Sequence, residues 1–477
     1  MGALAFRLLV GRTEHGLPKH LSELGLDRLA RTTVGFSHST HTNARGVPLQ
    51  LPSTAFGTYI KAPRLEHHDL DVADTVREVL ADIAAGGLAT VRRYSRQFDG
   101  WNPASFRVQS ADIQAARSQT DDGLVAQIDR ALDNIRAFAS AQRDCIRPLD
   151  CEIRPGVRLG HRVVPVRSVG CYVPGGGYPL IASALMTIAV ARVAGVERVV
   201  ACAPGKPDQG IHPVQLTAMA RAGADEIYAI GGIQALAAMA YGVDGFGAPV
   251  DLICGAGNAY VAEAKRQLFG PVGIDLLAGP TEILLIADDT ADPTLLAYDL
   301  LGQAEHGVDS PAVLVTTSDA IGTATITEVD RILADGYPTA DVAGLAWRDF
   351  GAVVLCESRE HVVAVSDAMA PEHLEVHAAD PGWWHDALTN YGTIFLGADA
   401  TVAYSDKAIG TNHVLPTRGA ARYTSGLWVG SFLKTPTYQL IEDPSAAEPV
   451  AEATAAISEA EGMFGHALTA TVRMGRL

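Results

Sequence analysis

Two side chains that can bind a metal lie three residues apart in the stretch Leu301-Gly302-Gln303-Ala304-Glu305-His306-Gly307. On a helix, Gln303 and His306 would project from one face and could reach a common ion. An aspartate and a second histidine from elsewhere would complete a nitrogen and oxygen site suited to zinc. Downstream candidates are Pro371-Glu372-His373, Tyr404-Ser405-Asp406 and His466. The spacing alone is also typical of the polar end of an ordinary helix, so its meaning depends on its context.

Four short sequence motifs supply that context. They are Ala278-Gly-Pro-Thr-Glu282, Gln303-Ala-Glu-His-Gly307, Ala370-Pro-Glu-His-Leu374 and Gly410-Thr-Asn-His-Val-Leu-Pro-Thr417. These motifs, and their order along the chain, resemble those of the histidinol dehydrogenase family. The resemblance runs over about residues 72–466.

The resemblance implies a zinc site with four ligands, which are Gln303, His306, Asp406 and His466. Taken singly, Asp406 could instead cap the turn before Lys407, and His466 could be an ordinary residue of a terminal helix. Four matches within matching words favour the metal site. Because zinc has no redox chemistry, it would hold and polarise a substrate oxygen.

The resemblance also implies that Glu372 and His373 handle protons. His373 suits the removal of a hydroxyl proton as hydride leaves for NAD, and Glu372 would deprotonate the water that converts an aldehyde into an acid. As an alternative, Pro371-Glu372 could simply begin a helix. A covalent route through a thiolate would use Cys254, which has no visible basic partner.

Thr281, His413 and Glu461 match substrate-contacting positions of the family. Two other stretches depart from its usual wording, Tyr178-Pro-Leu-Ile-Ala-Ser-Ala-Leu-Met186 and Ser405-Asp406-Lys407. These variants are similar to the sulfopropanediol dehydrogenase branch, which oxidises (R)-2,3-dihydroxypropane-1-sulfonate to sulfolactate with two NAD. A sulfonate is a permanent anion, and Lys407, Arg418 and Arg422 could bind it or could equally point to solvent or make structural pairs.

Two alternatives follow from the same residues. A histidinol dehydrogenase with a drifted pocket would oxidise L-histidinol to L-histidine. A binding protein that has kept only the fold should have lost some of the six matched metal and catalytic residues, and all six are present.

The elements that must position these residues read as alternating strands and helices. Strands are predicted near residues 198–203, 226–230 and 250–254, and helices near 213–222, 233–241 and 258–268. Such alternation predicts a parallel sheet whose ligands bind at the carboxyl ends of its strands. No G-x-G-x-x-G dinucleotide motif follows a strand. The resemblance instead implies NAD contacts at Tyr172, Gln234 and Asn258, with Ala256 departing from the family's usual proline.

The predicted fold is α/β, with two Rossmann-like parallel-sheet domains, one inserted in the other, and a helical C-terminal tail. We assign residues 67–173 and 284–440 to the domain that carries the metal and catalytic residues, and residues 174–283 to the inserted NAD-binding domain. Residues 441–477 form the tail, which the resemblance implies reaches across a homodimer to share its active site. Residues 1–66 are expected to be a loosely ordered extension.

Length, net charge and cysteine content limit the class of protein. A chain of 477 residues is too long for one core, so two or more domains are expected. The formal net charge of −17 argues against nucleic acid and against an anionic membrane surface as partners. Six cysteines without a CxxC pair, and no recognisable signal peptide, favour a soluble protein of the reducing cytoplasm.

Overall fold

The structure, a computed structural model, describes residues 57–64, 72–175 and 178–474. Two parallel sheets with helices on their faces form the body of the molecule, as predicted. The strands are β1 Thr58–Lys61, β2 Leu149–Arg154, β3 Val157–His161, β4 Val164–Pro165, β5 Ser168–Tyr172, β6 Arg198–Ala203, β7 Glu226–Ala229, β8 Leu252–Cys254, β9 Gly273–Ile274, β10 Ile283–Ala287, β11 Ala312–Thr316, β12 Ala352–Leu355, β13 His373–His377, β14 Thr393–Leu396, β15 Leu433–Lys434 and β16 Thr437–Ile441.

The helices follow the predicted apolar periodicity. They are α1 Ala73–Asp99, α2 Ser110–Gln119, α3 Asp122–Asp144, α4 Ile181–Ala184, α5 Val190–Ala194, α6 Pro213–Ala222, α7 Gly232–Tyr241, α8 Ala259–Leu268, α9 Pro293–Ala304, α10 Asp319–Ala334, α11 Ala340–Phe350, α12 Arg359–Met369, α13 Pro381–Ala387, α14 Val402–Lys407, α15 Glu448–Ala460 and α16 Phe464–Met474. Within the described residues, none of these helices is long and apolar enough to span a membrane.

The first sheet has the order β7-β6-β5-β8-β9 and is parallel throughout. It spans residues 168–274, so the chain leaves the second sheet, builds the first one and returns. The second sheet has the order β1-β12-β11-β10-β13-β14, in which only β1 runs antiparallel to its neighbour. Its central strands, β10, β11 and β13, are buried on both faces, as parallel strands covered by helices require.

Helices α1 and α3 pack with strands of the first sheet. Helix α1 packs in one core with β8 of that sheet, through Val76, Ile83 and Ile253. Helix α3 likewise contributes Leu132 to a core shared with Val169 of β5. Periodicity shows that a helix has an apolar face and does not show which sheet that face covers.

The N-terminal extension also contains structure at its end. Residues 58–61 form β1, whose Thr58 and Tyr59 pair with Leu355 and Val354 at the edge of the second sheet. Backbone pairing of an edge strand needs little apolar periodicity, which explains why the sequence pattern did not reveal it. The rest of the predicted extension, residues 1–56 and 65–66, lies outside the described residues.

Candidate active site

The word Pro371-Glu372-His373 does not begin a helix. His373 opens β13, a central strand of the second sheet that pairs with both β10 and β14. The preceding residue of the loop, Ala370, has φ +48°, a left-handed conformation that is uncommon outside glycine and costs free energy. This strained turn delivers two adjacent ionisable side chains into a buried position, where Glu372 and His373 are both almost fully enclosed.

His373 is held in one tautomer by the backbone. Its Nδ1 lies 3.0 Å from the carbonyl oxygen of Glu282, so Nδ1–H donates to that oxygen and Nε2 keeps its lone pair. Nε2 is buried, has no hydrogen-bond partner within the described chain, and lies 3.8 Å from Oδ1 of Asp406. Burial lowers the pKa of His373 below its ordinary value, which keeps the ring neutral and able to accept a proton.

Glu372 is the end of a chain of hydrogen bonds. Gln303 Nε2 donates to the Thr281 hydroxyl at 2.6 Å, and that hydroxyl donates to Glu372 Oε2 at 2.6 Å. The backbone N–H of Glu282 donates to the same carboxylate oxygen at 2.9 Å. Burial nevertheless raises the pKa of Glu372 well above its usual value, because it outweighs these hydrogen bonds. The carboxyl group therefore holds a proton more readily than an exposed glutamate does.

Three of the four predicted zinc ligands are brought together. His306 Nδ1 faces the carbonyl oxygen of Gln303 at 3.3 Å, which leaves Nε2 free, and Nε2 lies 3.5 Å from Oδ2 of Asp406. Two ligands of tetrahedral zinc are separated by about 3.3–3.4 Å when each bond is about 2.0–2.1 Å long. Gln303 Oε1 is buried without a hydrogen-bond partner in the described chain. The donor atoms suit zinc, and the separation between His306 Nε2 and Asp406 Oδ2 is close to the ligand separation of tetrahedral zinc.

Asp406 does not cap a turn, because it lies inside α14. Burial alone would raise its pKa, but His413, His373 and Lys407 together lower it, which keeps the carboxylate ionised. Its backbone carbonyl oxygen lies 3.0 Å from His413 Nδ1, while His413 Nε2 lies 3.2 Å from the Ser183 hydroxyl. His413 thus lies next to the candidate metal ligand Asp406, and its contact with substrate stays a prediction.

The three basic candidates occupy different positions. Lys407 Nζ lies 3.7 Å from Oδ2 of Asp406, and its side chain is 63% exposed. Arg418 is half-buried and takes φ +57°, and its backbone N–H donates to Glu282 Oε1 at 3.1 Å. Arg422 is exposed, and its guanidinium donates to the carbonyl oxygen of Gly419. Lys407 and Arg418 therefore lie next to the cluster, whereas Arg422 makes a local backbone contact.

Two predicted site residues are not brought to the cluster. Glu461 and His466 are exposed on the C-terminal tail, at the end of α15 and in α16. Within the described chain, no hydrogen bond or ion pair joins either side chain to Asp406 or His306. A single copy of the chain therefore offers three of the four predicted zinc ligands.

The predicted NAD contacts surround the carboxyl ends of β5, β7 and β8. Tyr172 accepts a hydrogen bond at its hydroxyl from Gly232 N–H, and burial raises its pKa to about 12, so it stays neutral. Gln234 Nε2 donates to Asp99, while its Oε1 is buried without a partner in the described chain. Asn258 caps α8 by accepting from Val261 N–H. A cavity of about 520 Å³ lies nearby, lined by Trp101 and Ala229 among others, but none of the three predicted contacts lines it.

The loop after β8 is fixed by a buried ion pair. Lys265 donates to the carbonyl oxygen of Gly255 and pairs with Asp275, which accepts from the Gly255 N–H. Gly255 has φ +115°, and a Cβ there would lie 2.2 Å from the carbonyl oxygen of Tyr172. Only glycine can take this conformation and approach so closely. The loop that follows β8 is thus rigid where a ligand would approach the backbone.

Cys254 does not suit a covalent mechanism. Its thiol is buried beside Cys171, with 3.6 Å between the two sulfur atoms. Burial first, and then the Cys171 thiol, raise the pKa of Cys254 well above its usual value, so little thiolate exists at neutral pH.

Sequence reasoning missed Glu282 as a residue of the site. Its carbonyl oxygen orients His373, its N–H holds Glu372, and its side chain accepts from Arg418. Burial raises the pKa of Glu282 to about 7. The residue ends the motif Ala278-Gly-Pro-Thr-Glu282, so the signal was present, but the contacts span 90 to 136 residues of chain.

Comparison with known proteins places this site in a family. The family model for histidinol dehydrogenase matches residues 62–474, and the chain belongs to this family. Its members are NAD-linked dehydrogenases that act on CH–OH groups. The class of protein is therefore an NAD-dependent dehydrogenase built on this α/β fold.

Individual relatives agree with that placement. A histidinol dehydrogenase homolog of Mesorhizobium japonicum is 51% identical over 85% of this chain and 80% of its own length. A sulfopropanediol 3-dehydrogenase of Ruegeria pomeroyi is 47% identical over 85% of this chain and 93% of its own length. The crystal structure of histidinol dehydrogenase from Elizabethkingia anophelis superimposes with a TM-score of 0.82 at 34% identity, covering 87% of this chain and 94% of that one.

Proposed function

We propose that this protein is a zinc-dependent, NAD-linked dehydrogenase that oxidises a primary alcohol to a carboxylate in two steps. One observation carries the proposal: the neutral, buried and unpartnered Nε2 of His373 faces Asp406, beside the high-pKa carboxyl group of Glu372. A base and a proton donor or acceptor are thus placed within one enclosed site, next to the candidate metal ligands.

The zinc ion would be held by Gln303, His306 and Asp406, with His466 of the partner subunit as the fourth ligand. When bound, zinc would polarise the substrate hydroxyl and lower the pKa of that group. Asp406 supports this role because its carboxylate is kept ionised, and His306 because its tautomer leaves Nε2 available.

His373 serves the first oxidation. Its Nε2 accepts the proton of the substrate hydroxyl while a hydride from the same carbon goes to NAD⁺, giving an aldehyde, NADH and one proton. The hydrogen bond from Nδ1–H to the Glu282 carbonyl keeps the ring oriented and stabilises the positive charge that forms.

Glu372 serves the second oxidation. Its carboxylate deprotonates a water that adds to the aldehyde, giving a hydrate. Transfer of a hydride from the hydrate to a second NAD⁺ then yields the carboxylate, a second NADH and two protons. The hydrogen bonds from Thr281 and Glu282 hold the carboxyl group in place, and Thr281 would contact the substrate as well.

NAD would bind at the carboxyl ends of the first sheet, where Tyr172, Gln234 and Asn258 lie. The buried, unpartnered Oε1 of Gln234 and the rigid loop at Gly255 support this position. When bound, NAD⁺ supplies the hydride acceptor for both steps.

The functional unit would be a homodimer in which Glu461 and His466 of one subunit complete the site of the other. The tail supports this arrangement because α15 and α16 expose an apolar surface that a monomer would leave in water. Its exposed apolar side chains are Ile457, Met463, Phe464, Leu468 and Val472.

For the substrate, we propose a sulfonated diol, (R)-2,3-dihydroxypropane-1-sulfonate, with L-histidinol as the alternative. One relative at 47% identity is a sulfopropanediol 3-dehydrogenase, whereas relatives with higher identity are named only as histidinol dehydrogenase homologs. Lys407 supports an anionic substrate because its exposed ammonium group stands 3.7 Å from the candidate metal ligand Asp406. Arg418 beside Glu282 is a second candidate.

The substrate proposal is tested by comparing kcat/KM of the zinc-loaded enzyme for the two alcohols. We expect turnover of the sulfonate and little of histidinol. Lys407→Ala should lower kcat/KM for the sulfonate by roughly 10- to 100-fold, the loss expected for one charge-assisted hydrogen bond. Lys434→Ala, a change at an exposed lysine on β15, should leave it unchanged. Turnover of histidinol alone would overturn the substrate and leave the dehydrogenase proposal standing.

A further inference from the structure

A second group of metal-binding side chains lies behind the catalytic cluster. Strand β13 reads His373-Leu-Glu375-Val-His377, so its three polar side chains share one face of a strand. His373 belongs to the candidate active site, whereas Glu375 and His377 point toward Asp299 of α9. Asp299 lies one helical turn before Gln303, so this second group is displaced from the candidate zinc ligands by about 6 Å along α9.

The spacing of the donor atoms suits a metal ion. His377 Nε2 lies 3.4 Å from Glu375 Oε2 and 3.6 Å from Asp299 Oδ2, and each residue offers a ligand atom within 4.8 Å of the others. These separations are close to the roughly 3.3–3.4 Å between ligands of a tetrahedral zinc ion. They are too long for good hydrogen bonds, which need about 2.7–3.2 Å.

The donor atoms are buried and lack hydrogen-bond partners. Glu375 is fully buried and His377 almost fully buried. Within the described chain, Glu375 Oε2 and both ring nitrogens of His377 have no hydrogen-bond partner. Buried polar groups are nearly always satisfied, and leaving one unsatisfied costs about 1–3 kcal/mol. His377 Nε2 and Glu375 Oε2, which face each other at 3.4 Å, are therefore the unsatisfied atoms that indicate a missing ligand.

The two buried carboxylates of the cluster also need a compensating positive charge. In the described part of the chain, the ion pairs that Asp299 and Glu375 form are both with His377, and neither carboxylate pairs with a lysine or an arginine. The ligand oxygens of Asp299 and Glu375 lie within 4.8 Å of each other. Two facing carboxylates in such a site cannot both ionise without a positive charge between them.

We propose that Asp299, Glu375 and His377 form a second divalent-cation site, with Zn²⁺ as the best-fitting ion. The other oxygens of the two carboxylates already hold the start of α14, since Glu375 accepts from the Val402 N–H at 2.6 Å and Asp299 from the Thr401 hydroxyl at 2.9 Å. Helix α14 carries Asp406. An ion here would fasten α9, β13 and α14 together and so position the catalytic cluster from behind.

The first test counts bound metal in the full-length protein without measuring activity. The chelator-stripped wild type is titrated with Zn²⁺, and the bound equivalents per subunit are measured by mass spectrometry of the metal after dialysis. We expect two equivalents in the wild type and one in His306→Ala, which removes a ligand of the catalytic site only. One equivalent in the wild type and none in His306→Ala would overturn the second site.

The same titration separates this inference from the proposed function. If wild type and His306→Ala both retain one equivalent, the second site stands and the catalytic zinc site fails. In either case His377→Leu identifies the residues, because it should bind one equivalent fewer than the wild type. His385→Leu, at an exposed histidine of α13, is the matched control and should keep both.

His377→Leu with unchanged metal content would overturn the proposal and leave a cluster that shares protons. Because the count for the wild type and His306→Ala does not depend on the folding of His377→Leu, the proposal can be tested even if that variant is unstable. Glu375→Gln, which keeps an oxygen able to accept from Val402 N–H, gives a second variant that should lose the same equivalent.

Discussion

At the scale of single residues, the same burial acts in opposite directions on two neighbours. It lowers the pKa of His373 and raises the pKa of Glu372, because in each case it disfavours the charged form. Each shift favours the uncharged form, which is a neutral imidazole for His373 and a protonated carboxyl group for Glu372. Opposite shifts in two adjacent ionisable groups are a mark of acid and base roles in one site.

His373→Asn tests the first proton transfer. Asparagine removes the base, so we expect kcat/KM for the alcohol to fall by about a hundredfold to ten-thousandfold. In the wild type, activity requires the neutral ring and is lost as the pH falls through the lowered pKa, which gives a midpoint below about 6.5. The variant should lack this acid limb. His385→Asn should show the wild-type profile, and an unchanged acid limb in His373→Asn would contradict the assignment.

Glu372→Gln tests the second oxidation separately. The amide oxygen of glutamine can still accept from Thr281 and from the Glu282 N–H, so the fold of the site should be kept. Without a carboxylate to deprotonate water, the aldehyde step should slow more than the alcohol step. The measurement is the ratio of NADH formed to alcohol consumed, which should fall from two toward one. A ratio of two at the wild-type rate would exclude Glu372 as the base.

The sequence indicated candidate site residues better than it indicated the contacts that orient them. His306 and His413, two residues singled out from the sequence, both lie next to Asp406. The contacts of Glu282 with His373 and Arg418, and the meeting of Asp299 with His377, cross long stretches of chain. Such contacts depend on how the sheets pack, which local spacing does not encode.

At the scale of elements, the loop that follows β8 depends on one buried ion pair. Lys265 and Asp275 are enclosed and hold Gly255 by both its N–H and its carbonyl oxygen. Removing one partner of a buried pair leaves an uncompensated charge and costs about 3–5 kcal/mol. The pair therefore fixes the proposed cofactor loop, and removing either partner should destabilise the protein.

We expect Lys265→Met to lower the free energy of unfolding by that amount, because the Asp275 carboxylate loses its partner. Urea denaturation followed by circular dichroism measures the change. The double variant Lys265→Met with Asp275→Leu should recover part of the loss, and Lys206→Met at an exposed lysine should change stability by less than about 0.5 kcal/mol. Wild-type stability in Lys265→Met would show that the pair does not support the loop.

Among the elements, those with strong periodicity were predicted well. Helix α6 covers Pro213–Ala222, the predicted range, and has a proline in its first turn. Strand β13 was not foreseen, since Pro371-Glu372 also resembles a helix start and His373-Leu-Glu-Val-His377 places charged groups in a core. Central strands usually carry apolar residues. Strand β13 carries ionisable ones because His373 belongs to the candidate active site and Glu375 and His377 to the second cluster.

At the scale of the whole molecule, the proposed dimer makes a prediction that a monomer could not satisfy. His306→Ala and His466→Ala each remove one proposed zinc ligand, so each homodimer should be inactive. After subunit exchange, a mixed dimer would contain one site with both native histidines, provided that His466 acts across the interface. Equal mixing should therefore restore about a quarter of wild-type activity, as half the dimers are mixed and each has one intact site.

The two variants are mixed under mild denaturation and refolded together, and the enzyme activity is then measured. Wild type taken through the same procedure is the control. No recovery from the mixed variants, with full recovery of the control, would show that His466 does not complete a neighbouring site.

The central claim is that one site carries an alcohol through both oxidations. The most direct measurement is the number of NADH molecules formed per molecule of 2,3-dihydroxypropane-1-sulfonate consumed by zinc-loaded wild-type protein, with the product identified. We predict two NADH and the carboxylate, with no aldehyde released. One NADH with accumulation of the aldehyde, or no NADH with either this alcohol or L-histidinol, would contradict the claim.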